Sequence, residues 1–342
     1  MIDIIFKIIY TTIIVSILSF LVSFFILYKS TPYFIKLFTK NKFVGKDMNK
    51  PSKPVVSELG GIPVFFGFIL GLFIIIFLGY ILKYNYLFDF ILLFIVLSTM
   101  LLFFFMGFLD DILGWKKGIT QWQHFYFPMI LSFPIIIYTI ISNSTSIYFP
   151  AAGIIINLGL IYSLVFVPII ITATTNSFNL LAGYNGLEAG LGVIIFSTIA
   201  LFSLVLHNFT LSIILGLWIG ALCGFLIYNY YKAKIFPGDI ITLVNGSLAG
   251  ISAIILHIEF VIAFLIILYI IEFFIKLKYN FKTECFGIPQ KNGIIKPNPK
   301  GGSLVHFVLR QGKFTEKSLV NTFYIIQAAI SIISVVLFYI YI

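Results

Sequence analysis

Ten stretches of about 20 mostly apolar residues, each long enough to cross a bilayer as a helix, dominate the 342-residue sequence. They fall at 4–28, 60–82, 87–109, 124–142, 148–172, 188–206, 209–230, 241–257, 259–277 and 319–342. Inside lipid, a backbone must satisfy its own amides, so segments of this length are expected to be helices. A soluble globule is excluded by the same pattern: only 10% of residues are charged, against about 25% in soluble domains. Disorder is excluded as well, because 40 Phe and 19 Tyr would not stay solvated. The expected class is an all-α integral membrane protein with about ten transmembrane helices, a single domain over residues 1–342.

The first stretch is too long for a cleaved signal and has no small-residue cleavage site, so it reads as the first span. An even number of spans puts both termini on one side. Of the 22 basic residues, 20 lie in or beside the connections after spans 1, 3, 5, 7 and 9, leaving only Lys7 and Lys83 on the opposite face. Cytoplasmic loops attract Lys and Arg. The expectation is therefore a cytoplasmic face at these connections, with both termini outside. Cys223 and Cys285 give neither a disulfide framework nor a metal spacing.

The long polar segments are 29–59 and 278–318, both on the basic face. Within the second, a cytoplasmic insertion before the last helix, Asn292-Gly293 between short apolar runs predicts a hairpin.

Acidic residues at membrane depth are costly and tend to be functional. Asp110 and Asp111 close the third span after Gly107-Phe108-Leu109. Adjacent carboxylates repel unless a cation or proton intervenes, so the pair suits a divalent metal or a base; a solvated helix end is the plain alternative. Thr175-Asn176-Ser177-Phe178-Asn179 precedes Gly183-Tyr184-Asn185-Gly186-Leu187-Glu188. Helical spacing would place the Asn176 and Asn179 amides on one face, and amide oxygens are hard donors suited to Mg²⁺. Turn formation and capping are the alternative. Asp239 follows Phe236-Pro237-Gly238 at the start of the eighth span, where an aspartate is ordinarily an N-cap. All three clusters fall on the same face, and carboxylates, amides and Lys around Mg²⁺ would suit phosphate chemistry there.

At these blocks the sequence resembles the polyprenyl-phosphate N-acetylhexosamine-1-phosphate transferase superfamily. It is most similar to the eukaryotic and archaeal branch that uses UDP-N-acetylglucosamine and dolichyl phosphate. The matching residues are Gly45-Lys46-Asp47-Met48-Asn49-Lys50, Ser57 to Gly61, Gly107 to Asp111, Thr175 to Gly190, Asn229 and Phe236 to Asp239. The resemblance implies a cytoplasmic active-site cleft where a lipid phosphate attacks the β-phosphorus of UDP-GlcNAc, releasing UMP. It implies Mg²⁺ (with Mn²⁺ as a substitute) on Asn179 and Asp239, and Asp110 and Asp111 as the catalytic pair. It also implies Asn185 at the uracil, Glu58 in the nucleotide pocket, Asn176 supporting the metal site, and Lys46 among the substrate contacts.

There are two departures. His124 stands where the family has a Lys contacting phosphate, so either His124 or Lys116 or Lys117 supplies that contact. Cys285-Phe286-Gly287 stands where the branch has an Arg-His-Arg clamp. The implied partners are UDP-GlcNAc, a polyprenyl or dolichyl phosphate and the lipid bilayer, with no nucleic acid; a homodimer is left open. The alternatives are the same reaction with another UDP-N-acetyl sugar or carrier lipid and, more remotely, a transporter or flippase.

Overall fold

The computed structural model describes residues 2–114, 118–149 and 153–341. The chain starts with α1 (Ile2–Lys40), continues through a short antiparallel pair, β1 (Val44–Lys46) and β2 (Val55–Ser57), and enters α2 (Gly61–Ile81) and α3 (Phe90–Leu113). Next come α4 (Gln121–Leu131) and α5 (Phe133–Ile141), then a hairpin of β3 (Ser146–Phe149) and β4 (Ile154–Asn157). The central helices are α6 (Val167–Leu180), α7 (Leu187–Val205), α8 (Phe209–Asn229) and α9 (Asp239–Leu256). The chain closes with α10 (Glu259–Leu265), α11 (Ile267–Lys278), α12 (Leu304–Leu309) and α13 (Glu316–Tyr341). Among the described residues, nine helices are long and apolar enough to cross a membrane, and α10 with α11 makes a tenth if that bent pair is one span.

Four spans differ from the sequence reading: the first does not end at 28 but runs on as α1 to Lys40, and the other three differ as follows. The fourth span breaks between α4 and α5, where Pro134 enters the helix at its first turn. The fifth begins late: residues 146–149 pair with 154–157, and the helix runs on to Leu180, so Thr175 to Asn179 are helical. The ninth bends by 72° between α10 and α11.

At the centre lie α8 and α9, whose apolar windows are 83% and 94% buried, against 28% for α1 and α13 at the periphery. Close approach depends on small residues. A Cβ at Gly216, Gly220 or Gly224 of α8 would strike the Ser16, Phe20 or Phe24 carbonyl of α1. Both stripes repeat every four residues, so the two backbones run side by side as small-residue membrane helices do. Gly107 works similarly for the site: its Cα faces the Ile240 backbone, and a Cβ there would sit 2.6 Å from the Ile240 Cα. That contact brings the end of α3 against the start of α9.

The 278–318 insertion is held together by a three-stranded sheet. β5 (Ile288–Pro289) pairs with β6 (Ile294–Lys296) across the Asn292-Gly293 turn, and β6 pairs with β7 (Phe314–Thr315), which leads into α13.

Candidate active site

Two adjoining chambers open at one end of the bundle. The first, about 530 Å³, lies between the loop joining β1 to β2, the α6–α7 turn and the start of α9; it is lined by Lys46, Asp47, Asn49, Asn185, Glu188 and Phe286, among others. The second, about 630 Å³, is lined by Asp110, Asp111 and residues 118–121. Glu58, Phe236, Gly238 and Asp239 line both, so these residues form the wall where the chambers meet.

The acidic cluster is built by helix ends. Asp111 Oδ1 accepts the Asp239 backbone N–H at 2.7 Å, and Oδ2 accepts that of Ile240 at 3.3 Å. The first amides of a helix lack internal partners, and the residue before α9 is Gly238, which has no side chain to cap with. Asp111 therefore caps α9 from α3. The plain alternative for Asp239, an N-cap, does not hold: Asp239 is the first helical residue, and its carboxyl faces Asp110 at hydrogen-bonding range. Asp110 is itself oriented by the Ile119 N–H at 2.6 Å and by His124 Nε2 at 3.0 Å.

The two asparagines of α6 separate. Asn176 donates to the backbone carbonyls of His124 and Thr172, both at 2.9 Å, and so braces α4 against α6. Asn179 turns toward α9, where its Oδ1 accepts from Thr242 Oγ1 at 3.1 Å, one turn past Asp239. Neither lines a chamber. His124 likewise lines neither chamber but stands behind Asp110, which lines the second, and Lys116 and Lys117 lie outside the described residues.

Asn185 is almost fully buried, and its side-chain amide donates to Asp47 Oδ2 at 3.0 Å. Lys46 is an exposed rim residue of the same chamber. Glu58 sits between the chambers, where burial lifts its carboxyl above the ordinary 4.5. Lys50 is also partly buried, which disfavours its charge, but hydrogen bonds and ion pairing with Asp47 and Glu316 outweigh this and hold the ammonium above its ordinary 10.5.

The residues that sequence reasoning assigned no role are Asp47, Asn49, Lys50, Tyr184, Glu188, Phe286 and Glu316. For Glu188 and Glu316 the signal was present: each is an acid placed at the first turn of an apolar span. Phe286 carried none, because an aromatic in a loop has no periodicity to read. The Tyr184 hydroxyl donates to the Cys285 carbonyl and accepts the Gly287 N–H, both at 3.0 Å, holding the chain on either side of Phe286.

Among the described residues, no three His, Cys, Asp or Glu side chains already stand in metal-holding geometry. The donor set nevertheless fits a hard divalent cation. Asp110, Asp111, Asp239 and the Asn179 amide offer oxygen only, and carboxylates this close repel unless a proton or cation is shared.

Fold and site together define an all-α integral membrane protein with a cluster of carboxylates at the helix ends, beside two adjoining chambers. Residues 93–257 match the family model described as glycosyl transferase family 4. A protein of Saccharolobus solfataricus, provisionally named UDP-N-acetylglucosamine–dolichyl-phosphate N-acetylglucosaminephosphotransferase, is 36% identical over 94% of this chain and 96% of its own length. One of the same name from Sulfolobus acidocaldarius is 36% identical over 93% and 95%. A phospho-N-acetylmuramoyl-pentapeptide-transferase of Borreliella burgdorferi is 32% identical over 78% and 79%. The chain belongs to glycosyl transferase family 4.

Proposed function

We propose that the protein transfers N-acetylglucosamine 1-phosphate from UDP-GlcNAc to a polyprenyl phosphate of the dolichyl type, giving GlcNAc-diphosphopolyprenol and UMP. This would be the first membrane step of lipid-linked glycan assembly. The observation that carries the reading is the pair of chambers meeting at Asp239 and Glu58, in a chain 36% identical over most of its length to relatives named for that reaction. The basic face of the sequence supports a cytoplasmic site.

In this reading the first chamber takes the nucleotide sugar, with Asn185 at the base and Lys46 at the rim. The second admits the lipid phosphate beside Asp110. An oxygen of the lipid phosphate bonds to the β-phosphorus, the bond from that phosphorus to the bridging oxygen breaks, and UMP leaves with the electron pair. Asn179 and Asp239 would hold Mg²⁺, or Mn²⁺, which when bound neutralises the diphosphate charge. Asp110 and Asp111 would orient or deprotonate the acceptor: Asp111 has both oxygens on the first amides of α9, whereas Asp110 shares one oxygen with a backbone amide and the other with the His124 ring, itself able to take or give a proton. Phosphoryl transfer needs chiefly positioning and charge neutralisation, and the wall between the chambers is where both would act.

The test is UMP release from UDP-GlcNAc and dolichyl phosphate by purified protein, with and without Mg²⁺, for wild type and for Asp110→Asn and Asp239→Asn. Metal-dependent release, lost in both variants while they remain folded, is the expected result. Full activity in either variant overturns the assignment of that residue. A panel of UDP-N-acetyl sugars decides the donor, including the muramoyl-pentapeptide donor used by the more distant relatives.

A further inference from the structure

Glu316 enters the last helix straight after β7. An acid in a first turn is ordinarily a solvated partner of the helix dipole, yet Glu316 is only 3% exposed. Its Oε1 accepts the Asn185 backbone N–H at 2.9 Å, and its Oε2 accepts Lys50 Nζ at 2.8 Å. Lys50 pairs with Asp47 as well, and Asp47 Oδ2 accepts the Asn185 side-chain amide at 3.0 Å. The four residues close a ring drawn from the β1–β2 loop, the α6–α7 turn and α13. Two carboxylates share one ammonium, and each holds Asn185 by a different N–H.

The turn that carries Asn185 is closed locally by the Leu187 N–H on the Tyr184 carbonyl at 2.9 Å and by the Gly183 N–H on Glu188 Oε1 at 2.6 Å. Gly183 and Gly186 flank it with φ of +102° and +88°, conformations open to glycine. α13 grips it twice, through Glu316 at Asn185 N–H and through the Tyr324 hydroxyl at the Gly186 carbonyl. The ring occupies Asn185's backbone donor and one side-chain hydrogen, leaving Oδ1 and the second Nδ2 hydrogen for a ligand.

We propose that Glu316 is a positioning residue for the nucleotide-sugar donor, fixing the Asn185 amide in the chamber wall through Lys50 and Asp47. This rests on the reading of the first chamber as the donor site. Glu316 does not touch the reacting atoms. Its removal weakens donor binding and leaves the acceptor side and the chemical step nearly intact.

The experiment compares wild type with Glu316→Ala, Glu316→Gln, Lys50→Met and the Lys50→Met/Glu316→Gln double variant. It reads Kd for UDP-GlcNAc by calorimetry, KM for each substrate, kcat and the melting temperature. Glu316→Ala should raise Kd and donor KM about tenfold, with kcat and the KM for dolichyl phosphate within about twofold. Glu316→Gln, which still accepts from Asn185, should recover most of the donor affinity. Lys50→Met leaves two buried carboxylates unpaired, so the double variant should bind donor better than Lys50→Met alone. Unchanged donor affinity in Glu316→Ala, a fall in kcat with KM unchanged, or parallel losses for both substrates with a lowered melting temperature overturns the proposal. A wild type that binds no UDP-GlcNAc overturns the donor reading of the chamber, and the role of Glu316 with it.

Discussion

Asp111 Oδ1 accepts the backbone N–H of Asp239 at 2.7 Å, so the carboxylate at the end of α3 closes the start of α9. Two acids that look equivalent in sequence thus do different work, and their substitutions should separate. Asp111→Asn keeps one acceptor oxygen where two N–H groups need satisfying, and caps are worth ~0.5–2 kcal/mol. The melting temperature should fall by a few degrees along with activity. Asp239→Asn leaves that cap intact, because Asp239 contributes its backbone to it. Here the melt should be unchanged or higher, with turnover down by at least about 100-fold. Thermal melts and UMP release measured on the same preparations decide; an unshifted melt for Asp111→Asn contradicts the capping role.

Gly183 is a second position where one residue couples two regions. Its φ is +102°, and a Cβ there would lie 2.9 Å from the Phe286 ring. Its carbonyl accepts from Asn49 Nδ2, and its N–H donates to Glu188 Oε1, both at 2.6 Å. An alanine would meet both the left-handed backbone penalty, ~1–2 kcal/mol, and the aromatic ring. Gly183→Ala should raise the donor KM several-fold with a smaller effect on kcat. Adding Phe286→Leu should return part of that loss, since the two residues are in contact and their effects should not add. Strict additivity in that double-mutant cycle would show that the ring does not press on this turn.

Much of this was legible in the sequence. Span length and the charge bias give the helical class, and the Asp pair, the asparagine block and Asp239 mark one end of the bundle. Partners were not legible. Asn176 and Asn179 sit three residues apart, and no spacing rule says that one faces α4 and the other α9. The stretch from 148 on is apolar enough to pass for the start of a span, and only the pairing of 146–149 with 154–157 reveals two strands there. Glu316 reads as an ordinary helix-start acid until it is seen to be buried against residues far away in the chain. Long-range polar contacts leave no local period, so these are the features that sequence patterns miss.

His306 makes the insertion sensitive to acid. The ring is buried in α12, with Nε2 3.2 Å from the Phe286 carbonyl and Nδ1 without a partner. Burial, followed by the charges of Arg310 and Lys276, pushes its proton affinity below the ordinary 6.5. A depressed folded value means the unfolded segment binds the proton more readily, so the stability contribution is present above 6.5 and is lost as pH falls below it. Protection factors at 286–310, corrected for the intrinsic slowing of amide exchange in acid, should therefore fall between pH 7.5 and 5.5, while those of α8 and α9 hold. A His306→Gln variant should lose this pH dependence; if its protection factors still fall on acidification, another group carries the effect.

Glu272 supplies the last case, an acid on a spanning segment that serves the loop after it. It is fully buried: Oε2 accepts the Leu304 N–H at 2.6 Å and the Ser303 hydroxyl at 3.1 Å, and Oε1 lies 3.8 Å from Lys276 Nζ. Lys276 in turn donates to the Thr283 carbonyl at 2.6 Å. One carboxylate in the middle of α11 thereby ties down both ends of the loop that carries Phe286. Removing it strands Lys276 and the α12 amide, and breaking a buried pair this way costs ~3–5 kcal/mol. The loss should be local, because α12 and the strands leave the bundle between α11 and α13. Trypsin should cut Glu272→Ala at the exposed Lys291 and Lys300 at least about ten times faster than wild type, with the helical far-UV signal retained. Glu272→Gln keeps an acceptor for Leu304 and should fall between the two. Cleavage at the wild-type rate in Glu272→Ala would mean that the three-stranded sheet alone holds the insertion closed.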